Sequence, residues 1–257
     1  MDIATINRTA WNAESSQGSD WSTPVDAETI KKARQGDWQV ILTPVKPVPA
    51  HWFGATTNQN LLGLASGGGQ QMPILAAAGF KVTSFDNSDE QLAKDALVAQ
   101  RDSLAIELCQ GDMADLSVFD DQQFDLIFHP VSNCFVPDVD VVWRECYRVL
   151  KPGGRLLAAF MNPAYFMFDH DQANDSGQLI VQHPLPYSDL EAPQAAQQKL
   201  LEQQLPFEFS HTLERQIGGQ LAAGFSLTGF YEDKWSDSAT PLNRFMATSI
   251  ATLAIKA

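Results

Sequence analysis

Residues 60–86 read NLLGLASGGGQQMPILAAAGFKVTSFD. It begins with an apolar run, Leu61 to Ala65, of a length that is typical of a buried strand. Three consecutive glycines, 67–69, precede a helical segment, and a second apolar run, 82–85, ends at the carboxylate of Asp86. A strand, a glycine turn, a helix, a strand and an acid in this order predict a βαβ nucleotide-binding unit.

The chemistry of these residues indicates an adenosine-type cofactor. A glycine lets the backbone pass close to a ligand, because a Cβ atom there would collide with it. The helix that follows directs its free N–H groups and its positive dipole end at the same place. Asp86 stands about twenty residues past the glycines, where a carboxylate accepts hydrogen bonds from both ribose hydroxyls.

The spacing of the glycines argues against a dinucleotide. The dinucleotide fingerprint is G-x-G-x-x-G. Counted from Gly67 and Gly69, its last glycine falls on Met72, and counted from Ala65 and Gly67 it falls on Gln70. A cofactor without phosphates relaxes the need for that glycine. A nicotinamide-dependent oxidoreductase is therefore the less favoured alternative.

Further along the chain, short apolar runs alternate with helical segments. This alternation predicts a parallel sheet with helices on both faces. Each of the next three predicted strands adjoins a short polar or glycine motif. These are Gly111-Asp112-Met113 after the third strand (105–109), His129-Pro130 after the fourth (124–128), and a tight turn, Lys151-Pro152-Gly153-Gly154, before the fifth (155–160).

The order of these motifs resembles that of the class I S-adenosylmethionine-dependent methyltransferases, and the resemblance runs from Leu61 to the C-terminus. It is closest to the broad group that holds quinone-type methyltransferases. It implies an α/β, Rossmann-like, doubly wound seven-stranded sheet whose last strand, 249–256, is antiparallel. It also implies an enzyme that transfers a methyl group from S-adenosyl-L-methionine to a small molecule. A non-catalytic S-adenosylmethionine-binding protein is an alternative.

The resemblance also implies which residues contact the cofactor. The expected contacts are Ala65, Ser66 and Gly67 with the methionine part, Asp86 with the ribose hydroxyls and Asn87 beside it, Asp112 with the adenine amino group, Met113 with the adenine ring, and His129 beside the sulfonium.

Two positions depart from the pattern of the family. The acid that the family carries in its first strand falls on Gly63, and its first glycine falls on Ala65. The anchor of the cofactor's amino group is therefore open between backbone carbonyls and the side chains of Gln70 and Gln71.

No general base is assigned from the sequence. Methyl transfer from a sulfonium needs a base only if the acceptor carries a proton at the working pH. The candidates are His129, His170 and Tyr165. For His129 the alternative is a buried histidine whose hydrogen bonds are satisfied within the protein.

Two segments are expected outside the regular alternation. Residues 1–52 form an N-terminal extension, irregular over its first 25 residues, and its Trp11 and Trp21 either pack on the main domain or form a lid. Residues 53–257 form the methyltransferase domain. It carries a substrate-covering insertion after the fifth strand, at about 164–211, in which 179–182 and 207–211 are expected to pair as a small ribbon.

The composition narrows the range of partners and compartments. A net charge of −14 argues against binding to a nucleic-acid backbone. Three cysteines without metal-type spacing indicate reduced thiols in a cytoplasmic protein, and five scattered histidines indicate no metal site. The sequence shows no signal segment or long apolar run, so membrane insertion is not expected. A homodimer is left open.

Overall fold

The computed structural model describes residues 2–257, and Met1 lies outside it. The helices are α1 (Ile3–Gln17), α2 (Ala27–Arg34), α3 (Gln71–Ala77), α4 (Asp89–Asp102), α5 (Val139–Val149), α6 (His170–Ser176), α7 (Gln194–Glu202) and α8 (Gly219–Ala223). The strands are β1 (Asn60–Leu64), β2 (Lys81–Asp86), β3 (Ile106–Gln110), β4 (Phe124–His129), β5 (Leu150–Met161), β6 (Phe225–Asp233) and β7 (Ser249–Lys256). Within residues 2–257, no helix combines the length and the apolar character that crossing a bilayer requires.

All seven strands form one sheet in the order β3-β2-β1-β4-β5-β7-β6. Strands β1 to β5 are parallel, while β7 runs antiparallel to both β5 and β6. The predicted fold class, including the antiparallel last strand, is confirmed. From β1 the chain adds β2 and β3 on one side and then crosses over to add β4 on the other side of β1, so a crevice opens at the carboxyl ends of β1 and β4.

The sheet is buried on both faces, which explains why its strands read as continuous apolar runs. Leu61 of β1 packs into one core cluster, whereas the next residue, Leu62, packs into the other. In β4, Phe128 and Ile127 alternate in the same way. The second cluster also contains Trp143 of α5, which is fully buried.

The turn expected at 151–154 is instead part of β5. Phe124 pairs with Leu150, and the register then shifts so that Leu126 pairs with Arg155. Gly153 lies in this irregular stretch with φ of 75°, a left-handed conformation that glycine adopts without strain. The glycines therefore form a bulge within the strand and do not separate a helix from it.

Residues 2–25 are not irregular as expected, because most of them form α1. Asp2 caps the helix by accepting from the Thr5 N–H, and Gly18 ends it with φ of 79°. The helix is mostly polar, so its stability depends on contacts with the rest of the fold. Trp11 packs edge-on against Phe135, with ring centroids 5.1 Å apart.

The prediction of a small ribbon within the insertion is also wrong. Val181 bridges to Phe168, and Phe209 bridges to Ser188, so the two segments do not pair with each other. The reason is that Phe207 and Phe209 are drawn into a small core with Ile3 of α1, while Val181 stays exposed.

The side chain of Asn7 joins α1 to the insertion. Its Nδ2 donates to the carbonyls of Phe135 and Phe207, at 2.9 and 3.1 Å. Its Oδ1 accepts from the N–H of Phe207 at 2.7 Å. Asn7 is buried, so these bonds are shielded from water. Two segments that are 200 residues apart in sequence are thereby held together.

We expect Asn7→Ala to destabilise this junction by about 2–4 kcal/mol, because it leaves buried backbone groups of Phe135 and Phe207 without partners. Amide hydrogen exchange should show lost protection in both α1 and residues 205–210. Ser16→Ala, an exposed change on the same helix, is the control. Unchanged protection of residues 205–210 in Asn7→Ala would refute the junction.

Candidate active site

A cavity of about 370 Å³ lies at the carboxyl ends of β1, β2 and β4. Its volume is within the range of small-molecule sites. The loops that follow β1, β2 and β3 form one side of it, and α1 and the insertion form the other. The predicted cofactor residues that line it are Ala65, Ser66, Gly67, Gln70, Asp86, Asn87, Asp112 and Met113.

The loop after β1 turns sharply at Ala65, which has φ of 50°. A side chain in this left-handed region is strained, which explains why glycine suits the position. The Ala65 N–H donates to the carbonyl of Phe85 at 2.8 Å, so the turn is tied to the end of β2. The next residues, Ser66 and Gly67, then face the cavity.

Of the three glycines, only Gly67 borders the cavity. A Cβ atom on Gly68 would lie 2.4 Å from the carbonyl oxygen of Trp21, and one on Gly69 would lie 3.0 Å from the Cβ of Pro24. The structure gives the last two glycines a different reason from contact with a ligand. Gly68 and Gly69 have φ of 119° and 76°, which a side chain would strain, and the N-terminal segment and α4 leave no room for a Cβ atom.

Asp86 ends β2 and faces the cavity. Its two carboxylate oxygens accept from the N–H groups of Gly67 and Ser88, each at 2.9 Å. Burial raises the pKa of this carboxyl, while the backbone N–H groups act in the opposite direction. Each oxygen has two lone pairs, so one on each is left to accept a ligand hydroxyl.

Ser88 and Gln91 after Asp86 have the residue types of a capping box, but only half of its hydrogen bonds form. Ser88 Oγ accepts from the Gln91 N–H at 3.1 Å and caps α4. The side-chain oxygen of Gln91 makes no return bond, and it is buried without a partner. Ser66 Oγ is unpartnered in the same way. Both residues line the cavity, so two orphaned polar atoms face the space where a polar ligand would lie.

The loop after β3 brings Asp112 and Met113 to the cavity. Asp112 Oδ1 accepts from the Ala114 N–H at 3.0 Å, which makes it a turn residue as well. Asn87 donates from its Nδ2 to the carbonyl of Ala4 at 2.7 Å, so it joins the end of β2 to α1.

At Gly63 there is no room for the acid that the family carries. A Cβ atom there would lie 2.0 Å from Met72 Sδ and 2.5 Å from Ser66 Oγ. Gln70 donates from Nε2 to the carbonyls of Asp20 and Thr23, at 2.6 and 3.1 Å. Its side-chain oxygen makes no hydrogen bond within residues 2–257 and remains available as an acceptor.

His129 does not lie beside the cavity as expected. It is completely buried behind the wall, with Nδ1 2.9 Å from the carbonyl oxygen of Leu64 and Nε2 2.7 Å from Asn133 Oδ1. Burial lowers its pKa, so the neutral ring is favoured. The prediction of a contact with the sulfonium is corrected: the end of β4 turns this side chain into the core, where it packs against Trp143.

His170 also lies outside the cavity lining. Its ring stacks on Tyr165 with centroids 3.7 Å apart, and its nitrogens contact Thr240 Oγ1 and the carbonyl oxygen of Tyr165. Both nitrogens are therefore occupied. Tyr165 does line the cavity, but burial raises the pKa of its phenol, which disfavours the phenolate that a base would need.

Comparison with known proteins decides the family. The family described as "Methyltransferase domain" matches residues 62–158. A Bacillus subtilis (strain 168) protein named "Uncharacterized methyltransferase YbaJ" is 46% identical over 251 residues, which are 97% of this chain and 97% of that protein. The chain belongs to the class I S-adenosylmethionine-dependent methyltransferases. The alternative of a nicotinamide-dependent oxidoreductase is thereby set aside.

Two further proteins resemble this methyltransferase, one in part of its sequence and one in its fold. A ubiquinone biosynthesis O-methyltransferase of Pseudomonas syringae pv. tomato is 28% identical over 132 residues, which are 49% of this chain and 57% of that protein. The solved 1,6-didemethyltoxoflavin-N1-methyltransferase of Burkholderia thailandensis superposes with a TM-score of 0.59 at 15% identity, over 99% of this chain and 89% of its own. That structure contains S-adenosylhomocysteine, and its likeness to the present chain is one of fold.

Asp95 of α4 holds the glycine loop of the methyltransferase, although it belongs to no motif of the sequence. This carboxyl is fully buried and accepts from the Gly69 N–H at 2.7 Å and from Ser84 Oγ at 2.6 Å. Burial raises its pKa to about 7. An available signal was its position in the helix: it lies three residues after Leu92 and three before Val98, both buried, and so on the core-facing side.

We expect Asp95→Ala to lower the free energy of unfolding by about 2–4 kcal/mol, because it leaves the Gly69 N–H and the Ser84 hydroxyl unpaired. Asp95→Asn keeps an acceptor and should lose less. Because the pKa of Asp95 is higher in the folded than in the unfolded protein, wild-type stability should fall as the pH rises from the ordinary pKa of an aspartate to about 7. Neither variant carries this carboxyl group, so this part of the pH dependence should be absent from both.

Urea unfolding at pH 5.5 and pH 8 measures both effects, with Gln100→Ala, an exposed change on the same helix, as the control. If Asp95→Ala had the same free energy of unfolding as the control at both pH values, Asp95 would not hold the glycine loop as assigned.

Proposed function

We propose that this enzyme transfers the methyl group of S-adenosyl-L-methionine by in-line displacement to a small molecule that binds in the cavity. One observation carries the proposal: eight of the predicted cofactor residues, from three separate loops, line one cavity together with the unpartnered oxygens of Ser66 and Gln91. Ligand sites are typically cavities on which polar groups from several loops converge.

The residues of the wall suit the parts of the cofactor. Asp86 has lone pairs for the two ribose hydroxyls, and Asp112 and Met113 would hold the adenine. The turn at Ala65–Gly67 would hold the methionine part. Its amino group would bond to backbone carbonyls or to the free oxygen of Gln70, since Gly63 admits no acid.

When bound, S-adenosylmethionine supplies a methyl group that is already activated on sulfur. The chain's task is then to orient the acceptor and to exclude water. We propose that residues 1–52 act as a lid, because α1 contributes Ile3, Asn7 and Trp11 to the cavity wall. The insertion at 164–211 would cover the acceptor side, where it contributes Tyr165 and Phe166.

A small-molecule acceptor fits this enclosure. The wall on the acceptor side is largely aromatic and contains Phe135, Tyr165 and Phe166. The names of the two relatives with assigned reactions, in ubiquinone biosynthesis and on a toxoflavin precursor, also refer to small molecules.

We expect Asp86→Ala to weaken binding of S-adenosylhomocysteine by about 10- to 150-fold, because a charged acceptor is worth about 1.5–3 kcal/mol. Isothermal titration calorimetry measures the affinity. Asp120→Ala, an exposed acid remote from the cavity, should bind as the wild type does.

Asp86 also holds Gly67, so the unfolding temperature of the free variant is needed beside the affinity. A folded Asp86→Ala variant that binds with wild-type affinity would overturn the assignment.

A further inference from the structure

Glu208 is an acidic residue that the cofactor site leaves without a role. It lies in the insertion between Phe207 and Phe209, whose side chains are buried in the core beside α1. In extended chain, successive side chains point to opposite sides. Glu208 accordingly faces the other way, and it lines the cavity.

The backbone around Glu208 is fixed firmly. Its N–H donates to Asp189 Oδ2 at 2.6 Å, and its carbonyl accepts from the Asp189 N–H at 3.1 Å. The next residue, Phe209, donates to the carbonyl of Cys134 at 2.7 Å. The side chain is thus presented to the cavity from a rigid support.

The carboxyl group itself has no hydrogen-bond or ion-pair partner within residues 2–257. The groups that face it are acidic or neutral: the carboxylate of Asp189, the thiol of Cys134, and the phenols of Tyr165 and Tyr187. Burial, followed by repulsion from Asp189, raises its pKa to about 7. Glu208 is half-buried, and its carboxyl group lies on the cavity wall without a partner from the protein. An acid with a raised pKa that faces a cavity in this way is a candidate for binding a ligand.

The rest of the wall shows what kind of ligand this would be. Among the described residues, no Lys, Arg or His side chain lines the cavity, so nothing there would balance a negatively charged acceptor. Near Glu208 the wall consists of aromatic side chains and a thiol. The matching acceptor has an apolar, aromatic frame and an O–H or N–H group that donates to a carboxylate.

We propose that Glu208 binds the O–H or N–H of the methyl acceptor and accepts its proton. This inference rests on the proposed function and names the acceptor class and the base of the same site. As the acceptor's lone pair forms the bond to the methyl carbon, its O–H or N–H bond breaks, and the proton passes to a carboxylate oxygen of Glu208. The electron pair of the methyl–sulfur bond stays on sulfur.

The first test measures the affinity of four probe molecules for enzyme that is saturated with S-adenosylhomocysteine at pH 8. The probes share one frame: 2-naphthol, 2-naphthylmethylamine, 2-methoxynaphthalene and 2-naphthoate. Wild-type enzyme should bind at least one of the two donor probes about tenfold or more tightly than the ether, the effect of one charge-assisted hydrogen bond. Glu208→Leu should lose that preference, and Glu208→Gln should bind naphthoate more tightly than wild type does.

The control is Glu202→Gln, an exposed acid on α7, which should behave as wild type does. If neither donor probe is preferred over the ether, or if Glu208→Leu keeps the preference, the inference is overturned. S-adenosylhomocysteine should bind all variants equally. Failure of the wild type to bind it would count against the proposed function, whereas normal cofactor binding with no donor preference would count against Glu208 alone.

The second test is pH dependence, which a merely structural role would not produce. Because the raised pKa lies near 7, the carboxylate form increases as the pH rises through 7. Wild-type affinity for the preferred donor probe should therefore rise from pH 6 to pH 8, and it should be flat in Glu208→Gln.

Without any probe, the gain in unfolding temperature of Glu208→Gln over wild type should be larger at pH 8 than at pH 5, since at pH 8 only the wild type carries a charge at this half-buried position. Equal differences at the two pH values would overturn the assignment of an unpartnered carboxyl with a raised pKa at Glu208.

Discussion

The loop that follows β1 is held from inside the protein by two carboxylates. Asp86 accepts from Gly67 and Asp95 accepts from Gly69, so both ends of the glycine bend are fixed by hydrogen bonds to carboxyl groups. The cavity depends on this arrangement, because the same bend sets the direction of Ser66 and begins α3. Asp86 also faces the cavity, where we propose that it binds the ribose hydroxyls, whereas Asp95 is buried and also accepts from Ser84 of β2.

The sheet and the cofactor side of the cavity follow from local sequence. The apolar run at 61–65, the glycines and Asp86 lie within one βαβ unit, so their relation in space is set by short connections and by the handedness of the crossover. The motif at 111–113 falls at the same edge because parallel strands end together. Residues whose place depends only on strand order were therefore predictable.

The remaining features depend on contacts between distant segments. Nothing near Gly68 or Gly69 in sequence indicates that Trp21 and Pro24 would pack on them. The orientation of His129 depends on Asn133 and on the core beside it, which strand position alone does not determine. Glu208 faces the cavity only because its two neighbours are buried against α1, and that partner lies at the other end of the chain.

The junction at Asn7 has a consequence for how such enzymes diverge. The side chain of Asn7 on the first helix hydrogen-bonds to the backbone of Phe207, so a shift of either segment would break these bonds unless the other moved with it. A change of acceptor in a relative then requires coordinated substitutions near both chain ends, while the glycine loop between them stays as it is. Covariation between these two regions, far apart in sequence, is the expected evolutionary signature.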